Sequence, residues 1–122
     1  MDRSYSLKRN KEFNRVYRKG KSAGARGAAL VYCRARHASV RVGFSVGKKV
    51  GNAVVRNKVK RRMREAFARQ LPNVRPGFDL IFIARAEAKD EPFAVLSKTV
   101  VYLLSKAGLL IETMQSPAAE KE

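Results

Sequence analysis

Hydrophobic positions along the chain follow two periods, and the switches between them mark its elements. Val40, Val42, Phe44 and Val46 alternate with Arg41, Gly43 and Ser45, which predicts a strand over 40–46 with one buried face. From Asn52 onward the spacing turns helical. At about 3.6 residues per turn, Val55, Val59, Met63, Ala66 and Phe67 share one arc of roughly 120°. Gly51 and Asn52 read as the start of this helix, the Asn52 side chain accepting a backbone N–H as N-cap.

The flanking segments show the same two patterns. Upstream, Asn10 is expected to cap a short helix over Lys11–Lys19 that Gly20 closes, with Phe13, Val16 and Tyr17 on one face. Lys21–Gly27 reads as a flexible connection and Ala28–Arg36 as a strand. A turn at His37-Ala38-Ser39 then predicts an antiparallel hairpin with the strand over 40–46. Pro72 and Pro76-Gly77 mark a loop. Phe78–Ala84 is almost continuously apolar, as a strand buried on both faces would be. Asp90 as N-cap and Pro92 in the first turn open a last helix, whose core stripe is Phe93, Leu96, Val100, Leu103 and Leu104.

The fold class expected is α+β: a two-layer sandwich with a mixed central β-sheet covered mainly on one side by helices. The order is α-β-β-α-β-α, with room for one further strand before the long helix. Residues 1–113 form a single domain, and 114–122 a frayed tail. The passage from 40–46 through the helix to 78–84 invites parallel pairing, with a right-handed crossover by the usual rule.

Charge changes this picture from a fold to a partner. The chain of 122 residues holds 27 Lys and Arg against 10 Asp and Glu, a net charge of +17. Eight of the basic residues lie between Lys48 and Phe67, with no acid before Glu65. Lys60, Arg64, Asn57 and Arg61 share the side of the helix opposite the apolar arc, with Arg56 at the border. Like charges at i,i+4 repel by a few tenths of a kcal/mol each, so a helix built only for stability would interleave glutamates. A face of one sign fits a polyanion, with arginines gripping phosphates bidentately and lysines adding point charges. The partner predicted is nucleic acid. Phe13 and Tyr17 by themselves read as core anchors; the functional alternative is a stacking platform for unpaired bases.

Other classes are poorly served. One cysteine, Cys33, precludes a disulfide framework within the chain and reads as a small core residue. The single histidine, His37, reads as a surface turn residue, and the scattered acids offer neither a metal cluster nor an acid–base pair for a protein-only nuclease. No zinc finger, Walker loop or G-x-G-x-x-G is present. No apolar run approaches a membrane span and the first residues lack a signal-peptide layout, so a cytoplasmic protein with no membrane partner is expected.

Three blocks carry a resemblance: Lys8-Arg9-Asn10-Lys11-Glu12-Phe13-Asn14-Arg15-Val16-Tyr17, the run from Arg41 to Glu65, and Asp79-Leu-Ile-Phe-Ile-Ala-Arg85. In this order, over about residues 7–110, the chain resembles the bacterial ribonuclease P protein subunit. The resemblance implies a left-handed βαβ crossover and a subunit of a ribonucleoprotein whose RNA carries the active site. The holoenzyme removes the 5′ leader of precursor tRNA by magnesium-dependent hydrolysis, leaving a mature 5′-phosphate. The implied partners are the catalytic RNA and precursor tRNA, with no obligate protein partner; the implied cofactors are that RNA and Mg2+ held mainly by it. By position, Arg56, Asn57, Lys58, Lys60, Arg61 and Arg64 would hold the catalytic RNA, with Lys48 and Lys49 adding phosphate contacts. The leader-binding cleft falls on Phe13, Tyr17 and Tyr32, where Tyr17 stands in place of a common Phe and a variable Gly/Ala connection precedes Tyr32. No catalytic or metal-ligating residue is expected in the protein. The competing reading is a ribosomal or ribosome-assembly RNA-binding protein without a catalytic partner.

Overall fold

A computed structural model describes residues 3–111. Its elements are α1 (Asn10–Lys19), β1 (Lys21–Gly24), β2 (Ala28–Arg34), β3 (Val40–Val46), α2 (Ala53–Gln70), β4 (Phe78–Ala84) and α3 (Phe93–Lys106). The four strands form one mixed sheet in the order β1-β2-β4-β3. The tail expected over 114–122 lies outside the described residues.

The expected hairpin does not form. β4 lies between β2 and β3, antiparallel to the first and parallel to the second, with Leu30, Phe82 and Phe44 in one row. The reason is in β4 itself. Leu80, Ile81 and Phe82 are all fully buried, so this strand needs cover on both faces and pairing on both edges. The 35–39 loop therefore straddles the entry to β4: Ala35 N–H donates to Gly77 O at 2.8 Å and Gly77 N–H to Ser39 O at 2.7 Å. Gly77 has φ +88°, a conformation that favours glycine.

The segment expected to be a flexible connection instead supplies β1, an edge strand pairing Lys21 with Tyr32 through Gly24 with Ala29. Its small side chains carry little strand propensity, and pairing with β2 overrides that. At the far edge Leu7 N–H donates to Val42 O at 3.0 Å, so the stretch before α1 covers part of β3.

Helices α2 and α3 pack on one sheet face. Val59, Met63, Ala66 and Phe67 of α2 and Leu96, Val100, Leu103 and Leu104 of α3 are buried there, as their periodicity predicts. Phe44, Phe67 and Phe82 form its aromatic centre, with ring centroids 5.6–6.3 Å apart. Asn52 caps α2, its Oδ1 accepting Val55 N–H at 3.0 Å. Asp90 does not cap α3: it ends the short 3-10 turn Ala86–Asp90, and Pro92 occupies the N-cap position.

Helix α1 crosses the other face alone. Its N-cap is Arg9, not Asn10, and its first turn is held by Glu12, whose Oε1 accepts Lys8 N–H and Arg9 N–H at 2.9 Å each. Gly20 closes it in an extended conformation, φ −82°, instead of the left-handed one. Beneath α1 lies a small second cluster of Leu7, Val16, Cys33 and Ile81, flanked by half-buried Phe13, Val31 and Ile83.

Candidate nucleic-acid interface

Two surfaces carry the candidate residues, one on each side of the sheet. On α2 the helical phase buries the apolar arc and turns Asn57, Lys58, Arg61 and Arg64 to solvent, with Arg56 and Lys60 half-buried. Lys48 and Lys49 are exposed in the turn between β3 and α2. The ion pairs among the described residues are Arg15–Asp79, Arg41–Glu12 and Arg69–Glu65, so no cation of this α2 surface is neutralised by a carboxylate. Arg64 lies 5.6 Å from the Phe44 ring centroid, which braces its stem against the core edge. The Nε of Arg56 is buried with no hydrogen-bond partner. Arg62, which periodicity did not single out, points back to the protein, its Nη1 donating to Glu91 O at 3.4 Å.

The second surface lies beside α1. Phe13 rests directly on β3 at Gly43, where any Cβ would collide with the ring. Tyr17 stands one turn further along the same helix face and is 44% exposed. The row Val31–Ile81–Gly43 faces α1, and Val31 and Ile83 remain half-buried because one helix cannot cover four strands. The result is a partly open apolar face beside α1, edged by Phe13 and Tyr17.

Tyr32 does not belong to it. Its register partners are Leu80 and, across β4, Val42, which point into the core under α2 and α3, and Tyr32 packs against that core. Successive strand residues alternate faces, so the β2 side chain that faces α1 beside Tyr32 is Val31. Sequence reading missed Val31 and Ile83 because the length of the connection before β2 hides the register. The alternation of β4, with Ile81 and Ile83 opposite to Leu80 and Phe82, could have found the second.

A polar network locks α1 to the sheet at the start of β4. Asp79, only 6% exposed, accepts from His37 Nε2 at 2.7 Å and from Arg15 Nη1 at 3.4 Å. His37 Nδ1 accepts Ser39 N–H at 3.2 Å, which leaves Nε2 as the donor to Asp79. Arg15 also donates to Arg34 O at 3.0 Å and approaches Cys33 Sγ at 3.4 Å. His37 is thus a structural tie and not a free turn residue. Cys33 is buried, as expected, and burial pushes its thiol pKa up, which keeps the sulfur protonated. Two backbone donors, Arg9 N–H and Lys8 N–H, hold the Glu12 pKa below its ordinary value against a small opposing effect of burial. The Arg41 guanidinium, 3.3 Å from Glu12 Oε2, adds to the lowering.

A four-stranded α+β domain with an unneutralised basic helix on one side and a partly open aromatic face on the other has the surfaces of a small RNA-binding protein of ribonucleoprotein type. The Ribonuclease P family model matches residues 1–108. The ribonuclease P protein component of Symbiobacterium thermophilum is 45% identical over 112 residues, covering 90% of this chain and 96% of its own. That of a Clostridium botulinum strain is 42% identical over 104 residues, covering 84% and 94%. Among solved structures, the Staphylococcus aureus RNase P protein superposes with a TM-score of 0.81 at 36% identity, covering 87% of this chain and 97% of that one. The Thermotoga maritima RNase P protein gives 0.76 at 27% identity, covering 83% and 96%. The chain belongs to the ribonuclease P protein family.

Proposed function

We propose that the protein is the accessory subunit of ribonuclease P, binding the catalytic RNA through α2 and the 5′ leader of precursor tRNA through the α1 cleft. The observation that carries this reading is the α2 surface: a row of cations with no carboxylate partner, in a chain of this family. A helix face so charged gains stability when phosphates replace its self-repulsion, and counterions released from the RNA add to the affinity. Lys48, Lys49, Arg56, Asn57, Lys58, Lys60, Arg61 and Arg64 line this surface from the turn before α2 through three turns of the helix.

The cleft supplies a different chemistry. Phe13 and Tyr17 offer rings to unpaired bases, while Val31 and Ile83 exclude water beneath them. A surface that stacks bases without hydrogen-bonding their edges accepts leaders of varied sequence. It favours precursor over product, because mature tRNA has no leader to place there.

Among the described residues no three carboxylates, histidines or cysteines gather where they could hold a metal ion. On this reading Mg2+ is held mainly by the catalytic RNA, which carries the hydrolytic step. The protein's part is to anchor and orient the substrate strand.

The test is cleavage of a precursor tRNA at low magnesium by catalytic RNA alone, protein alone and the two together. Cleavage at the mature 5′ end only with both is expected; cutting by the protein alone, or no rescue despite tight RNA binding, would refute the reading. In the same assay Phe13→Ala should weaken precursor binding by about 1–3 kcal/mol with mature tRNA little affected. Equal weakening of both would remove Phe13 from the leader site.

A further inference from the structure

The sheet edge where β1 begins holds a second aromatic and basic recess. β1 starts at Lys21, opposite Tyr32, so Cys33 and Arg34 at the end of β2 have no strand beside them on that edge. The notch is a cavity of about 370 Å³ between the ends of α1 and α3, within the range of roughly 300–1,000 Å³ of small-ligand sites. Tyr32 and Phe78 supply its rings, and Lys19, Lys21 and Arg34 its charge. The Arg34 guanidinium is layered over Phe78, 5.4 Å from the ring centroid. No carboxylate lines the cavity, and none of its three cations enters an ion pair among the described residues. Rings beside unneutralised cations match a nucleotide, whose base stacks while its phosphate takes the charge.

We propose that this recess holds a nucleotide of the precursor leader lying 5′ to those in the α1 cleft, an inference that rests on the leader-binding role of that cleft. The placement of α1 favours the leader over the catalytic RNA as occupant. Phe13 sits on β3, the α1 C-terminus ends against β2, and Lys21 opens β1, so Phe13, Tyr17, Lys19 and Lys21 advance across the sheet to the recess. A strand that follows them leaves the β3 side, where the chain enters α2, and arrives at Tyr32. Helix α2, which carries the other cations, packs over β3, the opposite edge strand of the sheet. The recess is thus a continuation of one track and not part of the α2 surface, and it gives Tyr32 a role on its own face of the sheet.

The test compares two precursors in the reconstituted holoenzyme, with leaders of about 4 and about 16 nucleotides, the span of single-strand-binding folds. The variant is Lys21→Ala with Arg34→Ala; both side chains are exposed, and it is the Arg34 backbone, not its side chain, that anchors Arg15. Affinity for the long leader should fall about tenfold and that for the short leader should hold, the size expected for two lost phosphate contacts. The salt slope for the long leader should drop by about 1.4, two single-strand contacts. Equal losses for both leaders and for mature tRNA would put the recess against the catalytic RNA and overturn the proposal, as would no loss with either. Phe13→Ala separates the two readings. A leader-length effect of the double variant, together with equal weakening of precursor and mature tRNA by Phe13→Ala, sinks the cleft and leaves the recess standing as a leader contact.

Discussion

The two faces of the sheet are built for different ends. Under α2 and α3 the interior is closed: Phe67, Phe82, Met63 and Leu103 are fully buried, and the aromatic centre packs ring against ring. Beside α1 only a handful of residues are fully covered, and Val31, Ile83 and Phe13 keep part of their surface in water. Apolar area left open contributes little to folding. The thin face compensates with polar ties, Arg15–Asp79–His37 and Glu12–Arg41, which fix the helix without covering the sheet. One face holds the fold and the other is held by it.

That contrast can be broken from the closed side first. Phe67→Ala should cost about 3–5 kcal/mol, because a fully buried ring leaves a cavity its neighbours cannot fill, and urea denaturation reads the loss. A loss below about 1 kcal/mol would mean that this core is not the main source of stability. Asp79→Ala comes next. It removes the acceptor of two donors and should cost about 2 kcal/mol, less than for a fully enclosed pair because the Arg15 side chain is 37% exposed. Its diagnostic effect is on function: α1 should loosen and precursor selectivity fall, while affinity for the catalytic RNA holds. Loss of both affinities together would show that α1 and α2 are not independent.

The smallest effect belongs to Glu12. Glu12→Gln should cost about 0.5–1 kcal/mol through the first turn of α1. Because the folded-state pKa of Glu12 lies below its ordinary value of 4.5, its contribution is present above that value and lost as pH falls through the lowered one. Melting temperature against pH should therefore fall more steeply in the wild type than in Glu12→Gln below about pH 4.5. Parallel curves would show that the capping bonds do not depend on the charge.

Much of the closed face was readable along the chain. The α2 and α3 stripes, the Asn52 cap and the burial of β4 all follow from contacts within a few residues, where period and capping chemistry act. The basic α2 surface was legible for the same reason, since helical phase alone separates Arg61 and Arg64 from Val59 and Met63. The α1 face was only half legible: Phe13 and Tyr17 lie on one helix, but Tyr32, expected beside them, faces the other way, since a one-residue change of register inverts every side chain of a strand.

By itself, the sequence determined the helices, the most apolar strand, the single-sign charge of the α2 face and, through its three ordered blocks, the family. Tertiary structure decided what depends on partners distant in the chain. It inserted β4 between β2 and β3, since only there are both its edges paired, and it drew Lys21–Gly24 into the sheet. It also brought Arg15, His37 and Asp79 together from three separate segments, because a buried carboxylate must find donors wherever the fold can supply them. Local spacing carries no record of such pairings, which exist only once the sheet has closed.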